Sequence, residues 1–327
     1  MNSVIKLLND PANMKDAIAY TASNLGISSP MIEKDLWVTF LLNRLFTESP
    51  WKDNLLFKGG TCLSKCYGVI DRFSEDIDLL LDWRLLGYGV DGPSIEASRK
   101  KQEASNERLI GDAKRFIEEE FVPTLRDDVQ KVIGQPFEIC AKGLDVTFRY
   151  PALFDNAYVR NEVLLEIGPR GRWGNPSAGE VSSYVSQQMK AIDDTSRVSC
   201  IPLEQAYYEK IQILHSSASR GKVPERYSRH YYDVCMIHRR LGKIQFDYGS
   251  LESNLDYNRR FYPGAGYGYD TMKKGSYRLM PTESMMDPLR RDYEHMKDMI
   301  FGPIPSFEDI LNEIAEVENE LNGEPPY

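Results

Sequence analysis

The stretch FKGGTCLSKCYGVIDRFSEDIDLLLD, residues 57–82, gathers the residue types that handle phosphates and metal ions. Gly59 and Gly60 let the backbone turn sharply and approach a ligand closely. They precede a helix start predicted at Thr61, where free N–H groups and the helix dipole favour an anion such as phosphate. Asp76 and Asp78 follow two apart in an apolar run. On a strand, side chains at i and i+2 share a face, so the two carboxylates project together while Ile77 and Leu79 turn to a core. Two carboxylates on one face repel unless a cation lies between them, and a hard divalent ion such as Mg²⁺ suits oxygen ligands. A phosphate cradle beside a carboxylate pair predicts a nucleoside triphosphate site. One or two Mg²⁺ ions there would clamp the oxygens of an in-line phosphoryl displacement.

These residues need a scaffold, and the flanking pattern supplies one. Residues 30–46 carry Ile32, Leu36, Trp37, Phe40, Leu41 and Leu45 at helical spacing and read as a core helix. Residues 55–57 and 75–82 read as strands on either side of a short helix running to about Tyr67. A helix over 104–121 follows, then strand-like runs at 137–149 and 161–168. This order predicts an α+β fold, a small mixed sheet with helices packed on it. From about residue 202 the pattern turns helical, at 203–218, 229–241, 286–300 and 306–322. The last opens with a capping box at Ser306 and Asp309 and can end at Gly323. Residues 258–281, rich in Gly, Tyr, Arg and Lys, read as a long functional loop. The expected division is a core with N-terminal helices over 1–200 and a helical part over 201–327 that closes the cleft.

Composition narrows the setting. With 327 residues, 42% apolar and 27% charged, the chain is long enough for two domains with real cores. Charge interrupts every apolar stretch, and no apolar leader precedes a cleavage site, so neither a membrane span nor a secretory signal is expected. The five cysteines are odd in number and dispersed, which fits a reducing cytoplasm. Cys62 and Cys66 are four apart, but no Cys or His is close in sequence, so they read as a packed helix face. The four histidines show no catalytic or metal spacing; His215 and His230 read as packing or polar-network residues. A net charge of −9 argues against general coating of nucleic acid but permits a local basic patch.

The signature resembles that of the AbiEii/AbiGii toxin family of DNA polymerase beta-like nucleotidyltransferases. The family pattern FKGGTxLxKxY followed by RFSEDIDL stands here as FKGGTCLSKCYGV and RFSEDIDL. The similarity continues through RNEVLLEIG (160–168), LEQAYYEKIQILH (203–215), SRHYYD (228–233) and MDPLRRDYEHMKDMIFGPIPSFEDIL. It implies Mg²⁺-dependent transfer of a nucleotide monophosphate from an NTP to an acceptor, within a toxin–antitoxin or phage-defence system and with an antitoxin protein as partner. It further implies Asp76, Asp78 and a third carboxylate, Glu166, as metal ligands. Gly59, Gly60, Thr61, Ser64, Arg72, Ser74 and Lys210 would hold the nucleotide, and Lys210 and Asp233 would complete the catalytic set.

Several of these residues carry a physical argument of their own. Glu166 lies in an otherwise apolar strand, where a carboxylate needs a cation, either a metal or Arg170. Asp145 in GLDVTF looks the same and is the rival, because the superfamily usually has Asp at the third position. Lys210 shares the apolar face of Leu203, Tyr207, Ile211 and Leu214, so it either meets an anion such as the triphosphate or snorkels to water. Asp233 can hold Lys210 or an arginine in place. Arg72, and more weakly Lys58 and Lys65, could reach a phosphate. Basic residues with interleaved aromatics occur at Arg170, Arg172 and Trp173. A second group is Arg220, Lys222, Arg226, Tyr227 and Arg229, extended by Arg259, Arg260, Lys273 and Lys274. This mixture suits a single-stranded RNA end, and the family resemblance makes the 3′ end of tRNA the expected acceptor. Alternatives are an antibiotic- or protein-modifying nucleotidyltransferase and a non-catalytic nucleotide-binding or interaction protein.

Overall fold

The structure, a computed structural model, describes residues 2–154, 160–242, 245–264 and 266–323. It divides into two units. One comprises Met1–Tyr67, Phe73–Glu96 and Ala104–Ile201; the other comprises Gly68–Arg72, Ala97–Glu103 and Pro202–Tyr327. The chain therefore leaves the first unit after Tyr67, gives five residues to the second, and returns at Phe73.

The first unit holds a mixed sheet. Helices α1 (Asn2–Leu8), α2 (Pro11–Leu25) and α3 (Ser29–Asn43) lead into β1 (Leu55–Lys58), α4 (Gly59–Lys65) and β2 (Ile77–Leu81). Helices α5 (Arg99–Phe116) and α6 (Val122–Gln130) precede a hairpin of β3 (Glu138–Lys142) and β4 (Asp145–Arg149). Then come β5 (Glu162–Gly168), β6 (Ser177–Val181), α7 (Tyr184–Gln188) and β7 (Ser196–Cys200). The strand order is β3-β4-β5-β2-β1-β7-β6. The β1–β7 and β2–β5 pairs are parallel and the rest antiparallel.

The run 137–149 is thus two strands rather than one, because Gly143 adopts φ 70° and turns the chain back. Strands β6 and β7 have no counterpart in the sequence reading. Helix α4 starts at Gly59, two residues before the expected cap at Thr61. Helix α3 packs on β5 and β7 and against α2 and α7. Every residue from Ile32 to Asn43 is buried, which includes the charged triplet Glu33-Lys34-Asp35.

The second unit is helical. It contains α8 (Leu203–Arg220), α9 (Ser228–Leu241), α10 (Tyr248–Phe261), α11 (Glu283–Met296) and α12 (Phe307–Asn322). Helix α9 packs against α8, α11 and α12, and α10 packs against α8. The capping box at Ser306 and Asp309 is formed, and Phe307, Ile310, Leu311, Ile314, Val317 and Leu321 are buried. Arg259 and Arg260 belong to α10, not to a loop: Leu251, Leu255 and Phe261 bury one face of a helix that its Gly, Tyr and Arg content conceals.

Candidate active site

The strand register aligns four charged residues. Lys58 on β1 pairs with Asp78 on β2, Asp78 with Glu166 on β5, and Glu166 with Asp145 on β4. Register partners share a face of a sheet, so these side chains form a row, and Asp76, just before β2, lies near enough for its charge to act on Glu166. Partial burial, then the charges of Asp78 and Asp76, push the Glu166 carboxyl up to about 7. Asp145, which like Glu166 is exposed to solvent at its strand position, lies one strand further from Asp78. A cluster of hard oxygen donors whose mutual repulsion disfavours ionisation is matched by a divalent cation, and Asp76, Asp78 and Glu166 fit that role.

The loop that carries the glycines is shaped by the same carboxylate. Gly59 has φ 77°, and a Cβ there would lie 1.8 Å from the Asp78 Oδ2. The close approach that demands glycine is therefore to Asp78 itself. Thr61 is buried; its hydroxyl donates to the Asp76 carbonyl at 2.6 Å and lies 3.0 Å from the Ser74 Oγ. Thr61 and Ser74 thus fasten the approach to Asp76 onto α4. Ser64 lies on α4 and is half-buried.

The buried triplet of α3 holds the surroundings in place, a role the apolar periodicity of that helix concealed. Glu33 accepts from the N–H groups of Leu153 at 2.7 Å and Phe154 at 3.3 Å, while burial raises its carboxyl to about 7. Lys34 binds Glu75, the neighbour of Asp76, at 2.6 Å. Asp35 binds Lys65. Lys65 is therefore committed to an internal ion pair rather than to a phosphate.

Arg72, Lys210 and Asp233 come together in the second unit. Asp233 is fully buried and accepts two hydrogen bonds of 2.8 Å from the Arg72 guanidinium. The Lys210 Nζ lies 2.8 Å from the same carboxylate. Burial acts to raise this carboxyl, yet Arg72 and Lys210 together hold it well below the usual carboxylate range. Asp233 thus positions both an arginine and Lys210.

The basic residues are unevenly engaged. Arg259 is paired with Glu252 and Asp256, Arg220 lies over the Tyr267 ring, and Lys274 over Tyr248. Lys222 and Arg226 are exposed. Arg226 sits at φ 61°, its N–H donating to Asp292 at 2.8 Å. In the first unit, Arg84 lies over the Trp173 ring.

The model of a family described as nucleotidyl transferase AbiEii toxin, type IV toxin–antitoxin system, matches residues 41–313. Among solved structures, the chain is similar to MenT4, a nucleotidyltransferase toxin from Mycobacterium tuberculosis H37Rv. The TM-score is 0.47 at 16% identity, over 94% of this chain and 99% of that one. No curated protein matches the sequence.

Proposed function

The chain belongs to the AbiEii family of nucleotidyltransferase toxins of type IV toxin–antitoxin systems, and from this we propose that it transfers a nucleotide monophosphate from an NTP to RNA, at the 3′ end of tRNA, in the cytoplasm. No described helix is long and apolar enough to cross a membrane. The observation that carries the reading is the register of Asp78 with Glu166, with Asp76, just before the strand, near enough for its charge to act on Glu166. Asp76, Asp78 and Glu166 would hold Mg²⁺, which when bound offsets the charge of the phosphates and of the attacking oxygen.

The remaining work falls to the chain itself. Thr61, through the Asp76 carbonyl, and Gly59, by yielding space to Asp78, keep the two aspartates in register. Lys34 holds the residue that precedes them. Lys210, steadied by Asp233, is the cation assigned to the triphosphate. Exposed Lys222 and Arg226, beside Tyr227, supply charge and a ring suited to a nucleic acid strand. An antitoxin protein is the partner implied by the family.

The test is incubation of the protein with each labelled NTP, Mg²⁺ and total RNA. Label on tRNA is the expected result, and it should weaken steeply with salt as counterions are released. Lys222→Glu with Arg226→Glu should reduce RNA labelling more than NTP binding. Label confined to protein or small molecules would reject the RNA acceptor and leave the nucleotidyltransferase core standing.

A further inference from the structure

Helix α4 carries a second cluster of ligand-type side chains. Cys62 and Cys66 lie one turn apart on it, and the parallel pairing of β1 with β7 brings Cys200 to them. The three Sγ atoms all lie within 4.8 Å of one another. Cys62 and Cys200 are buried, whereas Cys66 is part-exposed and gives the cluster a side open to solvent. The space is kept by Gly179 on β6. A Cβ there would lie 2.7 Å from the Cys66 Sγ and 3.2 Å from the Cys200 Sγ, so any side chain would drive the sulfurs apart.

We propose that Cys62, Cys66 and Cys200 form a thiolate site for a soft divalent metal ion, Zn²⁺ in the cell. Zn–S bonds of about 2.3 Å place tetrahedral sulfurs roughly 3.8 Å apart, so the thiols need to close by at most about 1 Å. Three protein sulfurs leave a fourth position for water. Binding releases the thiol protons to solvent, and no electrons move. Ligand softness separates this site from the carboxylates: sulfur selects Zn²⁺, and the oxygens of Asp76, Asp78 and Glu166 favour Mg²⁺. A bound ion would clamp the helix that begins at Gly59 to strand β7.

Co²⁺ titration of the reduced full chain tests this, because thiolate ligands give a near-ultraviolet charge-transfer band that carboxylates do not. The band should saturate at one Co²⁺ per chain, vanish on adding Zn²⁺ and persist in excess Mg²⁺. Cys66→Ser should abolish it, while Cys140→Ser and Cys235→Ser retain it. In the unmutated chain, Zn²⁺ should protect Cys62, Cys66 and Cys200 from alkylation and leave Cys140 reactive. Absence of the band at stoichiometric Co²⁺, its persistence in Cys66→Ser, or unprotected thiols in the presence of Zn²⁺ would overturn the proposal. The wild-type titration decides even where a variant fails to fold.

Discussion

Asp35 and Lys65 meet at 2.5 Å with side-chain exposures of 4% and 7%, an ion pair sealed between α3 and the end of α4. Lys65 also donates to the Ser182 carbonyl, and Asp35 accepts from the Tyr184 N–H. Removing one partner strands a buried charge, which costs about 3–5 kcal/mol. Asp35→Leu and Lys65→Met are each expected to lose stability on that scale. The double variant should lose clearly less than the sum. Urea unfolding measures all three, and strictly additive losses would show that the two residues are not coupled.

Asp76→Asn and Asp78→Asn should each slow nucleotide transfer by at least ~10³-fold. Melting temperature should hold or rise, since each change relieves crowding among like charges. A labelled-NTP assay and a thermal melt separate the two effects. Turnover near the wild-type rate in either variant would remove the metal-site reading.

The third carboxylate can be tested by ranking. Glu166 is the register partner of Asp78, and Asp145 stands one strand beyond it. Glu166→Gln is therefore expected to abolish transfer and Asp145→Asn to reduce it mildly. The reverse order would move the ligand to Asp145.

His215 supplies a pH signature in the helical unit. Its Nδ1 accepts from the Arg278 N–H at 3.0 Å, and its Nε2 reaches the Gly268 carbonyl at 3.1 Å and the Thr271 Oγ1 at 3.0 Å. Burial pulls its pKa down to about 4. In unfolded chain the imidazole titrates near ~6.5, so between these values the unfolded state binds the extra proton. The ring's contribution to stability is complete above that range and declines as pH falls toward 4. The melting-temperature advantage of wild type over His215→Gln should shrink over the same window. A gap independent of pH would show that the buried ring does not titrate differently on folding.

The short-range features of the fold were the legible ones. The strand–glycine–helix–strand order around residues 55–81, the capping box at Ser306 and the helices near 203–220 and 228–241 all depend on neighbouring residues. What stayed hidden depends on distant ones. Strand β7 pairs with β1 across more than 130 residues, and only that pairing delivers Cys200 to Cys62 and Cys66. The charges of Glu33, Lys34 and Asp35 vanished behind an apolar stripe because α3 is buried on every side, a setting in which periodicity carries no information about polar partners. Arg72, and more weakly Lys65, were suited by type to a phosphate, and their partners Asp233 and Asp35 lie far away in sequence.

The detour of residues 68–72 into the second unit sets a clock on the birth of the molecule. Arg72 awaits Asp233, which is translated 161 residues later. At roughly 5–20 residues per second the ribosome needs about 10–30 s to cover that distance. Lys34 and Glu75, by contrast, are both present early and can pair while synthesis continues. The segment leading into Asp76 is thus secured at one end long before the other, and a nascent chain halted before Asp233 would carry Arg72 without its counter-ion.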